Sequence, residues 1–239
     1  MVTTQPRGTR RYRSSLRDAQ ARRTRQRVLD AATAVFLDRG YGGATIRAIA
    51  AEANVSVPTV EALFGTKARL LKAAIDVAIA GDDEPVAVLD RGWAADAREA
   101  GTAEEFLSLV AGVVAAAQAR SAGLVLAVFE GSARDRELEQ VAEQMVAQRA
   151  VIASWIVDGV SRVASLREGC SYEEAVDTVW LLMDPAVFER LTRRRGWTLE
   201  HYERWFSRSI ARQLTADAPP QGNELPAQRS PGSTARGQG

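Results

Sequence analysis

Thr45-Ile46-Arg47-Ala48-Ile49-Ala50-Ala51-Glu52-Ala53-Asn54-Val55-Ser56-Val57-Pro58-Thr59-Val60-Glu61-Ala62-Leu63-Phe64-Gly65-Thr66-Lys67-Ala68-Arg69-Leu70-Leu71 is the stretch on which the reading of this chain turns. Thr45 predicts the cap of a short helix whose apolar face is Ile46, Ile49, Ala50 and Ala53. Asn54-Val55-Ser56 interrupts it, and Ser56 predicts the cap of the next helix. Pro58 is tolerated in that helix's first turn, because the first amides of a helix have no intrahelical acceptor. Val60, Leu63 and Phe64 form its buried side, which leaves Val57, Pro58, Thr59, Glu61 and Ala62 outward. Two short helices joined by a three- to four-residue turn make a helix-turn-helix. Its second helix meets base edges while the first packs across it, so small residues belong at the crossing, and Ala50 and Ala53 supply them.

Before this stretch, Val28, Ala31, Ala32, Val35 and Phe36 repeat with helical spacing, and Gly40 is the expected stop. After it, Thr66 caps a helix carrying Leu70, Leu71, Ala74, Ile75 and Ala78, and Gly81-Asp82-Asp83-Glu84-Pro85 breaks the pattern. Thr102 to Glu105 reads as a capping box before Phe106, Leu109, Val110, Val113, Val114 and Ala117. Leu124 to Phe129 is apolar all round and is expected deep in the core. Ser132 to Asp135 opens a long helix through Leu138, Val141, Met145, Ile152, Ile156, Val160 and Val163. Ser171 caps another with Val176, Val179, Trp180 and Met183, which Pro185 bends or ends. Thr198 starts a last helix with Tyr202, Trp205, Phe206 and Ile210. No strand pattern is present, and the fold class expected is all-α.

The composition narrows the function. The 239 residues carry 31 Lys+Arg and 30 Asp+Glu, a net charge of +1. Residues 1–80 hold 14 of those basic groups against 6 acidic ones, a split that suggests a front end facing a polyanion, with a solvated disordered tail as the alternative reading. No uncharged apolar run of about 18 residues exists, so no membrane partner is expected. One cysteine, Cys170, excludes an internal disulfide framework and favours a reducing cytoplasm. One histidine, His201, leaves no hydrolytic triad or multi-His metal site, so neither enzyme activity, catalytic residues, a metal nor a cofactor is expected. Phe129, Met145, Trp155, Trp180 and Met183 are candidates to line an apolar ligand cavity, although each alone also reads as plain core.

The stretch from Thr45 to Leu71 resembles the DNA-binding domain of TetR-type transcriptional regulators. The match lies in the Thr-led helix, the Ile-Ala pair, the Val-Ser turn, the Pro-Thr start of the recognition helix, the Phe, and then the Lys and Leu pair. The resemblance covers about 50 residues firmly, including Arg27 to Tyr41, and Trp197 to Tyr202 is similar to the last helix of many members. It implies DNA contacts by Arg47, Val57, Pro58 and Thr59 at the two helices, with Thr45 leading the first, and by Lys67 on a phosphate. Glu61 and Leu63 depart from the family, which usually has phosphate-gripping aromatics there; Glu61 suits a cytosine amino group instead. An Arg-rich arm from Arg7 to Arg27 would compensate for that loss.

The domains expected are a disordered Arg-rich arm at 1–17, a three-helix DNA-binding domain at 18–65, a larger helical domain at 66–215 entered by a connecting helix at 66–80, and a disordered tail at 216–239. The resemblance makes the larger domain effector-binding and dimerising, with the homodimer formed through helices near 171–194 and 198–214, where Trp180, Trp205 and Phe206 suit an interface. A short recognition helix covers few base pairs, so double-stranded DNA would be read as paired half-sites. The function expected is a ligand-responsive homodimeric repressor of a palindromic operator, with an unknown small-molecule effector. The alternative is a helical ligand-binding or adaptor protein with weakened DNA-binding heads, given Glu61 and Leu63.

Overall fold

The computed structural model describes the backbone of residues 8–216 and the side chains of residues 18–216. Among the described residues ten α-helices run α1 (Gly8–Gly43), α2 (Ile46–Glu52), α3 (Val57–Phe64), α4 (Lys67–Ala80), α5 (Gly92–Glu99), α6 (Ala103–Ser132), α7 (Arg136–Val163), α8 (Tyr172–Leu182), α9 (Pro185–Glu189) and α10 (Leu199–Leu214). No strand is present among the described residues, and a single antiparallel bridge joins Leu166 to Thr215.

The starts of these helices follow from local chemistry. Thr45, Ser56, Thr66, Thr102, Ser171 and Thr198 each accept a hydrogen bond from the amide three residues on. Each such cap is worth about 1 kcal/mol. Only at Ser171 is the reciprocal bond made, from its own amide to Glu174. Glu105 instead reaches back to the amide of Gly101. Gly40 interrupts α1 at φ 63°, ψ 177°, a conformation open essentially to glycine alone, as its expected role as a stop requires. Pro185 ends the α8 run and begins α9, whose cap is Asp184.

Several expectations are corrected. Helix α1 begins at Gly8, inside the segment expected to be a disordered arm to residue 17, where Arg10, Arg11, Arg13, Leu16 and Arg17 are good helix formers. The remainder of that arm, and the tail from residue 217, lie outside the described residues. Ser132 does not open α7; it closes α6, and Asp135 is the cap, accepting from the amides of Glu137 and Leu138. The all-apolar run keeps Leu124, Val125, Ala127 and Val128 inside but turns Phe129 out, at 37% exposure. Leu107 and not Leu109 is buried on α6, because that helix is packed on several sides at once. Phe206 is fully buried within its own chain, against the cluster that includes Tyr202 and Phe188, and is not free to build an interface.

Helix α6 is the centre. It packs against α1, α4, α5, α7, α9 and α10. It is long and apolar enough to span a membrane by length and composition, with mean hydropathy 1.6 over its best 18 residues. Half of that window is buried inside the protein, and Arg120 interrupts the apolar run. Helices α6 and α7 run antiparallel, as their short connection requires, so the start of one meets the end of the other. There the Phe106 ring fits where Gly159 has no side chain; a Cβ at Gly159 would stand 2.0 Å from that ring.

Two buried clusters result. One gathers α1 to α4 with Leu124, Val125, Ala127 and Val128 of α6 and Leu138, Val141 and Ala142 of α7. The other gathers α5 with the early part of α6, the later part of α7, and α8 to α10. The first cluster crosses residue 65: α2 and α3 pack on α1 and α4, which in turn rest on α6, with α4 also meeting α7.

Candidate nucleic-acid interface

The turn between α2 and α3 is closed by the backbone. Val55 donates to Ala50 and Asn54 to Ala51, with Asn54 at φ 52°. This is the double bond pattern that ends a helix on a left-handed residue, which Asn tolerates better than most. Ala50 and Ala53 are buried at the crossing and Ile49 and Val60 are wholly inside, so the two helices share one apolar seam. Thr45, Arg47, Pro58, Glu61 and Ala62 are exposed, while Val57 and Thr59 are half-buried. The structure therefore brings six of the seven sequence-predicted DNA residues onto the outer side of one helix pair. The Thr45 oxygen caps α2, accepting from Ala48 at 3.1 Å, and the Thr59 hydroxyl shares a 2.7 Å hydrogen bond with Ser56. Arg47 has no partner among the described residues, so its guanidinium is free to meet a base or a phosphate.

Lys67, the seventh, is engaged otherwise. Its Nζ donates to Tyr41 O at 2.7 Å and Ala44 O at 3.0 Å, and lies 4.0 Å from the centre of the Tyr41 ring. Burial lowers its pKa, partly offset by nearby Asp135. The lysine thus holds the turn that delivers Thr45 and Arg47, and one of its three N–H donors is left for a phosphate. Tyr41 continues the connection: its hydroxyl donates to Asp135 at 2.5 Å, and burial together with that carboxylate raises its pKa. Asp135 caps α7, and its own pKa is lowered, first by the Tyr41 bond. The sequence reading missed this pair; a tyrosine after a glycine carries no sign of a partner 94 residues away.

The Arg-rich front divides by function. Arg22, Arg23 and Arg27 are exposed on α1, on the same part of the protein as the helix-turn-helix. Arg25 turns inward, donates to Asp83 at 2.7 Å and stacks over Phe64 at 4.8 Å. Between α1 and α3 lies an open groove walled by Gln20, Ala21, Thr24, Pro58, Thr59, Ala62 and Leu63, so Leu63 faces α1.

A second concavity lies between α4, the 82–89 loop, α6 and α7, with a volume of about 660 Å³. Val77, Trp93, Val113, Val114, Val125, Phe129, Met145, Ile152 and Met183 supply its apolar wall. Of the five residues expected to line such a cavity, Phe129, Met145 and Met183 do. Trp155 is packed between Trp93 and Phe106, at ring distances of 5.4 and 5.5 Å. Trp180 lies outside the wall, covered by the Arg149 guanidinium at 3.9 Å. Spacing along a helix places a residue on a face but does not say which neighbour covers that face. Among the described residues no group of three or more His, Cys, Asp or Glu side chains is placed to hold a metal.

Comparison with known proteins agrees with this geometry. Residues 28–74 match the family profile described as bacterial regulatory proteins, tetR family. None of the curated proteins matches the chain. Among solved structures, a protein of Rhodococcus sp. described as a TetR-family transcriptional regulator superposes with a TM-score of 0.61 at 13% identity, covering 81% of this chain and 99% of its own. FadR of Bacillus subtilis, a transcriptional regulator solved with stearoyl-CoA, gives 0.60 at 21% identity over 79% and 98%. A protein of Saccharomonospora viridis described as a transcriptional regulator, solved with choline, gives 0.58 at 18% over 80% and 96%. At these identities the likeness extends to the fold. The chain carries at residues 28–74 the N-terminal domain of the tetR family of bacterial regulatory proteins, on an all-helical fold of the TetR type.

Proposed function

We propose that the protein is a ligand-responsive, homodimeric repressor that binds a palindromic operator in the cytoplasm. The observation that carries the reading is that Thr45, Arg47, Pro58 and Glu61 are all exposed on two short helices held together by one buried seam. Arg47 reads a guanine or a phosphate, Pro58 and the Thr59 methyl meet a thymine methyl, and Glu61 accepts from a cytosine amino group. Arg22, Arg23 and Arg27 add backbone attraction. One such head covers few base pairs, so two are used, centred about 34 Å apart in successive major grooves. The exposed apolar side chains Tyr172, Leu181 and Leu199, with half-buried Trp205, support pairing through α8 and α10.

The mainly apolar 660 Å³ cavity supports the regulated part of the reading, as a place for an effector. Its wall includes α4, which carries Lys67, and the loop whose Asp83 is bonded to Arg25 of α1. Neighbours of this fold hold ligands as unlike as stearoyl-CoA and choline, so the effector is set by this chain's own wall. A coupling of about 1–3 kcal/mol changes operator affinity some 5- to 150-fold. The adaptor reading draws on Glu61, which repels a phosphate, and on Lys67, two of whose donors are held internally.

Fluorescence anisotropy against the DNA upstream of its own gene, with a scrambled duplex of equal length, separates the two. The repressor reading expects preference for one palindrome and a dimer by mass measurement. Equal affinity for both duplexes leaves the adaptor reading.

A further inference from the structure

From the charge pairing around the 660 Å³ cavity and from one buried amide within it, we infer that the effector is an electrically neutral amphiphile with a hydroxyl or N–H donor that meets Gln118. The inference rests on the reading of this cavity as the effector site.

Pockets of roughly 300–1,000 Å³ take drug-sized ligands, and this one is mainly apolar. All but Glu84 of the ionised groups on its wall are already paired. Lys72 pairs with Asp76 at 2.6 Å, Arg91 with Asp82 at 2.7 Å, Arg25 with Asp83 at 2.7 Å, and Arg149 with Asp184 at 2.9 Å. Arg91 holds the Asp82 carboxyl down at about 2, so that pair stays ionised across the physiological range. Glu84, the remaining charge, is exposed at the lip and lies in the field of Arg91. An anionic ligand would therefore lose its hydration without gaining an unpaired countercharge, and a cationic one would find only the water-exposed Glu84, so the apolar part of the cavity favours neither.

Gln118 supplies the polar point. It sits on α6 with 8% exposure and lines the cavity. Its Nε2 donates to Met183 O at 2.6 Å, which fixes the amide's orientation and leaves Oε1 as an acceptor. No protein donor reaches Oε1 among the described residues. It is not sealed away either, because the only sealed and unpaired side-chain atoms among them are Arg91 Nε and Arg149 Nε. Ser121, the other buried polar group on the wall, donates to Ala117 O of its own helix. An open acceptor next to the apolar wall formed by Val114, Val125 and Met183 fits a ligand that brings one donor and an apolar body. The same amide grips the turn between α8 and α9, so a ligand bound there touches the element that leads toward the proposed dimer surface.

The test uses four probes of one chain length, 1-decanol, its methyl ether, decanoate and decyltrimethylammonium, on the full-length protein. Binding is read by calorimetry and by fluorescence of Trp93, which lines the cavity. Decanol is expected to bind about tenfold more tightly than the ether and than either ion, the size of one lost hydrogen bond to a buried group. Gln118→Leu should remove the advantage over the ether, and Gln118→Glu should shift preference to the cationic probe. If an ion binds best, or alcohol and ether bind alike, the inference is overturned while the cavity stands as a ligand site. If none of the four binds, the effector-site reading itself fails and takes the inference with it.

Discussion

Replacing Tyr41 by Phe removes a single oxygen from the joint between the DNA-reading head and the α6/α7 pair. That hydroxyl donates to the Asp135 carboxylate at 2.5 Å. Asp135 keeps its two capping bonds, from the amides of Glu137 and Leu138, so α7 remains capped in the variant. A hydrogen bond to a charged group contributes about 1.5–3 kcal/mol, and partial exposure of the carboxylate places this one at the lower end. The expected loss of about 1.5 kcal/mol corresponds to a fall in Tm of roughly 3–6 °C for a chain of this size. The bond also lowers the Asp135 pKa below its ordinary 3.8. A depressed carboxylate pKa means stability that is present above about pH 4 and lost as pH falls through the folded value. The gap between wild type and Y41F should therefore be constant from pH 5 to 8 and narrow below pH 4. Thermal melts followed by circular dichroism at pH 3, 4, 5 and 7 measure it. Equal Tm values at pH 7, or a gap that widens in acid, would refute the argument that this bond is charge-assisted and joins the two parts.

Arg47→Ala should weaken binding to the preferred palindrome by about 5- to 150-fold, the range for a lost bidentate base contact, with Tm unchanged because Arg47 is exposed and has no hydrogen-bond or ion-pair partner among the described residues. Lys67→Ala should lower Tm by several degrees as well as weaken DNA binding, since its two bonds to Tyr41 O and Ala44 O hold the turn before α2; a variant that melts like wild type would return Lys67 to a role on phosphate alone. Gly159→Ala should destabilise by about 1–3 kcal/mol or more through the Phe106 ring, and combining it with Phe106→Leu should recover part of the loss in urea titrations. Arg25→Ala cuts the bond between α1 and the cavity loop, and should shrink the ligand-induced change in DNA affinity measured by anisotropy, while leaving affinity for the ligand itself within about twofold.

Much of the helix-turn-helix was legible in the sequence because it is specified locally. Thr45, Ser56 and Thr66 cap helices by bonds that span three residues, and the alternation of small and branched side chains in Ile46 to Val60 marks one apolar seam. The same locality located Gly40, Ser171, Pro185 and Thr198. Ser132 carries the same local capping signal as Ser171, yet the helix expected to open there is capped three residues later, by Asp135. There Asp135 is also held by the Tyr41 hydroxyl, a partner distant in sequence.

Hydrophobic spacing and capping chemistry thus determined that this is an all-helical chain, where most of its helices begin, and which short pair forms the helix-turn-helix. Only the tertiary structure decided which polar groups are already satisfied. It placed Lys67 on two carbonyls, buried Phe206 inside its own chain, moved Trp155 and Trp180 out of the cavity wall, and left Gln118 with an open acceptor within it. Helical periodicity records the face on which a side chain lies. The partner that covers it is set by helices many residues away in sequence, whose mutual rotation is fixed only when the core closes around Phe106, Gly159 and Tyr202.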